Sequence, residues 1–307
     1  MRTGILNEVY EQMKQDENIY FMIGDLGFAS VEMIEEDFPG RFINAGIAEQ
    51  NMIGMAAGLA LSGKKVYCYS IIPFLIMRCF EQIRNDLCYH NLDVTLLGAG
   101  AGMSYGILSS THFALIDLAI TRTLPNFSVF SPADEQEAVL GTKSLKNHHG
   151  PAYIRIGQRV EPVIYPQPYD FKLGQGHVLQ EGDKDGIVIF GTGPIIHEVI
   201  LANNLLEDKY EQKVTIIDIH TIKPLDKELI LQRSKNAQEI FTVEEHSRIG
   251  GLGSSVAETL SESSDLSKLT MIGTDDEFIK EVGSQKYLRK VKGLDAEGIL
   301  KIIRKQS

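Results

Sequence analysis

Apolar runs at residues 19–23, 66–71, 94–97, 128–130 and 153–156 are short and alternate with longer stretches of helical periodicity. Runs this short and this uniformly apolar suit strands covered on both faces. Their alternation with helices predicts βα units around a mostly parallel sheet. Between Gly157 and Phe171 the pattern stops, and Pro162, Pro166 and Pro168 there predict an extended linker, because proline removes a backbone donor and fixes φ. The alternation resumes with strands at 186–190, 214–219, 240–243 and 270–272, with helices between them, one of which opens at residues 250–253. The reading is therefore α/β: two doubly wound domains with mostly parallel sheets, residues 1–160 and 173–307, joined by a linker at 161–172. No internal repeat is visible, and residues 183–185 and the serine-rich 261–267 read as surface loops.

A length of 307 residues suits two such domains. With 43% hydrophobic and 23% charged residues the composition is that of a soluble globular protein. No segment approaches the roughly 20 apolar residues that span a bilayer. Asn7, Glu8, Glu11 and Lys14 interrupt the apolar positions after Met1, so no signal peptide is expected and a cytoplasmic location follows. A net charge of −11 disfavours nucleic acid and anionic membranes, so an anionic substrate would need locally placed arginines. Cys68, Cys79 and Cys88 form no CxxC pair and read as buried reduced thiols, and no metal-ligand set is expected in this chain. Gly191-Thr192-Gly193 and Gly250-Gly251-Leu252-Gly253 look like dinucleotide loops, but Ile196 and Val256 stand where the last glycine would be, so both read as tight turns.

Four groups carry candidate chemistry. Glu49 enters an otherwise uncharged helix; it either matches the helix dipole or is kept in an apolar setting for a task. Gly54 and Gly58, four apart on that helix, give a bare face that favours a close interface. Residues 74–86 put Phe74, Met77, Arg78 and Phe80 at helical spacing, an amphipathic pattern in which Arg78 needs an acidic or ligand partner. His112 follows a glycine-rich stretch at what reads as a helix start, and Asp134 to Glu137 reads as another helix N-terminus. Arg155 ends the last strand of the first domain, where α/β sheets place ligand groups.

In this order and at these separations the motifs resemble those of the thiamine diphosphate family of transketolases and 1-deoxyxylulose-5-phosphate synthases. The segments concerned are Arg41 to Gln50, Phe74 to Asp86, Thr111-His112, Ser131 to Glu135, Ala152 to Arg155, Ile222 to Asp226 and Thr242 to Gly253. The resemblance covers nearly the whole chain and implies a pyrimidine-binding domain followed by a transketolase C-terminal domain. It implies that Glu49 hydrogen-bonds the cofactor's aminopyrimidine and promotes the tautomer that removes the thiazolium proton. A two-carbon ketol unit would then pass between sugars through a cofactor-stabilised carbanion. By position Phe74 stacks on the aminopyrimidine, with Met77 or Leu75 as alternatives and with Arg78 and Phe80 close by. His112 would contact the reacting oxygens of the substrate, Arg155 would grip its phosphate, and Arg2 and Ser30 fall near further phosphate-binding positions.

Two departures qualify the resemblance. Whole members of the family carry a Gly-Asp-Gly start and a downstream Asn that hold Mg²⁺ and the diphosphate, whereas Gly24-Asp25-Leu26 and Gly182-Asp183 lack that context. The expectation is the C-terminal subunit of a split enzyme, inactive alone, with two copies of each subunit assembled and with Mg²⁺ and diphosphate held by an N-terminal partner. The second departure is Gly106-Ile107-Leu108-Ser109, where Leu108 replaces a family aspartate that reads a donor hydroxyl. A modified or deoxy sugar, or an unusual acceptor, is the implied substrate. The rival readings are a decarboxylating relative, either the β-subunit of a 2-oxo acid dehydrogenase or a split deoxyxylulose-phosphate synthase, and a non-catalytic scaffold subunit.

Overall fold

The computed structural model describes residues 1–27, 30–157, 161–262 and 268–306. The first domain contains β1 (Ile19–Ile23), β2 (Phe42–Asn44), β3 (Lys65–Ile71), β4 (Val94–Ala99), β5 (Ser128–Phe130) and β6 (Ala152–Ile156). The second contains β7 (His177–Gln180), β8 (Ile187–Thr192), β9 (Thr215–Asp218), β10 (Thr221–Lys223), β11 (Glu239–Ser247) and β12 (Leu269–Thr274). Nine of these twelve lie on the predicted runs. β2, β7 and β10 do not: all three are short, and β2 and β7 are only partly buried, so no continuous apolar run marks them.

The first sheet has the order β10-β5-β6-β4-β3-β1-β2 and the second β12-β11-β8-β9-β7. Both are parallel except at one edge each, where β10 runs antiparallel to β5 and β7 antiparallel to β9. β10 comes from the second half of the chain and completes the sheet of the first half. The period-2 alternation of β3 shows why the sheet needs cover on both sides: Tyr67 and Tyr69 enter one core cluster, Val66 and Cys68 the other. Helix Arg2–Gln15 covers the first with Ile5, Leu6, Val9 and Met13, and helix Glu49–Leu61 covers the second with Met52, Ile53, Ala56 and Ala57. The second cluster continues through Phe190, Ile217 and Leu252, so the two domains share a core.

The proline-bearing linker carries no helix or strand over its described residues, yet it is anchored. The Ile164 and Tyr165 amides donate to Asp134 Oδ2 at 2.8 and 2.7 Å, and the Tyr165 and Tyr169 hydroxyls donate to Asp218 and Glu137 at 2.8 and 2.6 Å. Asp134 also caps helix Glu135–Leu145 through Glu137 N, as the sequence predicts. Of the serine-rich loop predicted at 261–267, residues 263–267 lie outside the described residues. Both glycine clusters are tight turns, entered at Gly193 (φ +74°) and Gly250 (φ +79°). After the second, the Glu244 carboxylate accepts the Leu252 and Gly253 amides, each at 2.8 Å. An internal carboxyl group thus fills the N-terminus of helix Leu252–Ser261, the place where a dinucleotide phosphate would sit. All three cysteines are buried free thiols.

Candidate active site

The candidate residues gather at the carboxyl ends of β1, β3 and β4, where parallel sheets hold ligands. Glu49 opens helix Glu49–Leu61 and is 2% exposed. Its Oε1 accepts Ser70 Oγ at 3.0 Å, and its Oε2 accepts Arg78 Nη1 at 2.7 Å. A buried carboxylate is retained when charge-assisted bonds replace lost hydration, and this one has two, from the end of β3 and from the following turn. Across from it, a Cβ on Gly24 would lie 3.0 Å from Ser70 Oγ and 3.3 Å from Glu49 Oε1, so a side chain there would crowd the Ser70–Glu49 pair. Burial first, and then the Glu49 charge, push the Cys79 thiol up to about 12, which keeps it protonated beside the acid.

Residues 74–86 depart from the regular helix that their spacing predicts. Two π-helical turns, Pro73–Met77 and Ile83–Cys88, flank a short α-helical piece, Phe80–Gln82. Such wide turns recur at functional sites because they re-aim side chains. Here the turn sets the Arg78 guanidinium over the Phe74 ring, 4.5 Å from its centre, while the arginine side chain stays 41% exposed. Leu75 is fully buried in the core, Met77 lines the cleft between the domains, and Phe80 packs against the core. Of the three stacking candidates, Phe74 is the one grouped with Arg78 and His112.

His112 ends a 3₁₀ turn, Gly106–Thr111, rather than starting a helix; the next helix begins at Asp117. Its ring meets Phe74 edge-on at 5.2 Å and Tyr105 at 5.9 Å, and Thr111 Oγ1 lies 3.0 Å from its Nδ1. Within the turn Ser109 has φ +61° and ψ −166°, a strained conformation for a residue other than glycine. Ile107 and Leu108 on this turn are exposed. The Tyr105 ring packs on Gly100 (φ +96°), where a Cβ would stand 2.1 Å from the ring. Arg2 lies near Tyr69 and Tyr105; burial raises both phenols and the Arg2 charge opposes it. Ser30 is half-buried in the turn before Val31, in the loop that leaves β1.

Arg155 stands apart from this group. It is 1% exposed, its Nε donates to Asp117 Oδ2 at 2.8 Å, and its Nη2 donates to the carbonyls of Ala114 at 2.7 Å and Glu245 at 3.1 Å. Tyr153 completes the cluster through its hydroxyl on Asp117 at 2.8 Å. The phosphate grip expected of Arg155 does not fit this placement, because the guanidinium is enclosed and bonded to the protein. It ties the first domain to β11 instead. Ser70, Tyr105 and Asp117 were not singled out from the sequence, and Gly24 was noted only as a near miss to the diphosphate motif. Ser70 interrupts an apolar run and Asp117 follows one, and those polar breaks are the signals that could have found them.

Residues 1–160 match the transketolase pyrimidine binding domain, and residues 174–304 match the transketolase C-terminal domain. The chain is 37% identical over 306 residues to a putative transketolase C-terminal section of Methanocaldococcus jannaschii, covering 99% of this chain and 95% of that protein. It is 36% identical over 272 residues to one of the subunits of the apulose-4-phosphate transketolase of Actinobacillus succinogenes, covering 89% and 86%. Among solved structures, a split gene transketolase described as an inactive beta4 tetramer superposes with a TM-score of 0.87 at 33% identity, over 99% of this chain and 96% of that one.

The chain belongs to the transketolase family. Within it, the chain corresponds to the C-terminal subunit of the split enzymes, and membership implies dependence on thiamine diphosphate.

Proposed function

We propose that this chain is the cofactor-activating subunit of a transketolase-type enzyme that moves a two-carbon ketol unit between sugar substrates. The Glu49 arrangement carries the reading. A buried carboxylate is held at one oxygen by Ser70, while its other oxygen meets a half-exposed arginine beside a partly exposed aromatic ring. An aminopyrimidine would suit these groups: Phe74 offers a flat apolar face, Glu49 would accept the ring N–H of its imino or ring-protonated form, and Gly24 leaves the carboxylate unobstructed. When bound, the cofactor supplies the electron sink for carbon–carbon cleavage. Glu49 holds the proton balance at the ring, and His112 and Tyr105 flank the approach to it.

The diphosphate and Mg²⁺ belong to an N-terminal partner subunit in this proposal. Support comes from relatives named as a C-terminal section and as one subunit of a transketolase, which this chain matches over most of their length. Two copies of each subunit would assemble, with copies of this chain meeting through the open face of helix Glu49–Leu61, where Cβ atoms on Gly54 and Gly58 would meet nothing within 4 Å. Phosphorylated or activated sugars are the proposed substrates, and the exposed Leu108, on the turn that ends at His112, supports a deoxy or otherwise modified sugar or an unusual acceptor.

The test reconstitutes the chain with its partner. Glu49→Gln should lower ketol transfer by about 100-fold or more, the scale of lost acid–base assistance, while calorimetry still detects thiamine diphosphate binding. Undiminished turnover sinks the proposal. Release of CO2 from a 2-oxo acid would assign the decarboxylating chemistry instead, and a complex that binds no cofactor would assign the scaffold role.

A further inference from the structure

The segment from Gly100 to Ala114 carries Tyr105 and His112; it leaves β4 with its Gly100 and Ala101 amides on the Ile156 carbonyl, and several of its further holds lie in the second domain. From this we infer that Glu245, at the carboxyl end of β11, is the positioning residue for the His112 loop. Glu245 Oε1 accepts the Met103 amide at 2.6 Å. The same carboxylate accepts Gln285 Nε2 at 2.9 and 3.0 Å and Arg289 Nε at 2.7 Å. A carboxylate that is 4% exposed is thus fully partnered, and one of its partners is the backbone of the loop.

The loop is shaped for this approach. Gly102 has φ +61°, and a Cβ there would stand 2.5 Å from Glu245 Oε1, so only glycine lets the chain pass over the carboxylate. Further along, Gln285 Nε2 donates to Ser104 Oγ at 3.3 Å, and Ser110 Oγ donates to the Ile279 carbonyl at 2.6 Å. A Cβ on Gly106 would lie 1.9 Å from the Gly283 carbonyl, a second place where the loop touches the other domain's backbone. At the far end Arg155 Nη2 bridges the carbonyls of Ala114 and Glu245. Glu245 therefore holds the loop twice, by its carboxylate at Met103 and by its carbonyl through Arg155.

Gln285 and Arg289 are four apart on helix Gln285–Val291 and reach Glu245 from one face. The second domain thereby sets where the ring of His112 and the ring of Tyr105 stand relative to Phe74. Its part in catalysis is to hold the substrate-facing loop rather than to touch the reacting atoms. That consequence rests on the proposed function; the positional statement does not.

Two variants test it, Glu245→Gln and the milder Gln285→Ala, since the first takes from the buried Arg289 its nearer counter-charge and leaves it Glu198. Amide hydrogen exchange on the intact chain should be about tenfold faster across residues 101–112, with β3 and β8 unchanged, as local opening predicts. In the assembled enzyme KM for a phosphorylated ketose should rise about fivefold or more, a loss near 1 kcal/mol, while thiamine diphosphate affinity stays constant. Unchanged protection in Gln285→Ala or faster exchange throughout the chain overturns the inference, and altered protection with KM unmoved overturns its catalytic consequence. Failure of the wild-type complex to bind thiamine diphosphate would sink the proposed function and leave the exchange result standing.

Discussion

Two arginines, each bonded to one acid, differ in how much of them water reaches. Arg78 is 41% exposed on Glu49, whereas Arg155 is enclosed on Asp117. Arg155→Ala would strand a buried aspartate, so the urea midpoint should drop by the equivalent of about 3–5 kcal/mol. Preserved stability with loss only of affinity for phosphorylated substrate would instead make Arg155 a phosphate ligand. Ser70→Ala removes one of the two bonds that orient Glu49; a bond to a charged group is worth about 1.5–2 kcal/mol, so stability should fall by about that much and kcat by roughly tenfold. An unaltered kcat would show that Arg78 alone orients the acid. Glu49 and Arg78 were legible in the sequence because a charge amid apolar residues demands a partner. Which charge pairs with which was not, since Glu49 and Arg78 are 29 residues apart and Asp117 and Arg155 are 38 apart.

At the scale of elements, helix Glu49–Leu61 buries one face and leaves Gly54, Met55, Gly58 and Leu61 outward. The glycine spacing was readable because i and i+4 share a helix face. Gly58→Glu puts a charge on that face and should raise intrinsic helix stability by about 0.5–1 kcal/mol, since glycine is the poorer helix former. Sedimentation should nonetheless show the self-association of this chain reduced. Unimpaired association would place the interface elsewhere. The Pro73–Met77 and Ile83–Cys88 turns were not legible. A π turn spends one extra residue, and which residue is extra depends on packing against the core rather than on a 3.6-residue period. The linker was legible as non-helical from its prolines, but its anchoring by Asp134, Glu137 and Asp218 was not.

Across the whole molecule, that anchor is a titration device between the domains. Glu137 and Asp218 face one another under Tyr165 and Tyr169, and burial raises both carboxyls, Glu137 from 4.5 to about 7. A raised folded-state value means the native protein keeps a proton that the unfolded chain has already released. Stability therefore falls as pH rises from about 4.5 through about 7 for Glu137, and Asp218, raised well above its ordinary value, adds to the loss in the same direction. Melting temperature should decline over this window, and Glu137→Gln should flatten the decline. Parallel profiles for the two proteins would assign the pH dependence to other groups.

The two α/β domains, nine of their strands, the candidate acid Glu49 and the family were all decided by local pattern. Apolar runs, glycine spacing and motif order act over a few residues or survive as ordered text. Tertiary structure alone decided that β10 from the second half of the chain completes the first sheet, that Arg155 is enclosed on Asp117, and that β11 and helix Gln285–Val291 hold the loop bearing His112. Those are contacts between residues about 40 to 180 apart, and their free energy depends on burial and direction, which no window of sequence contains.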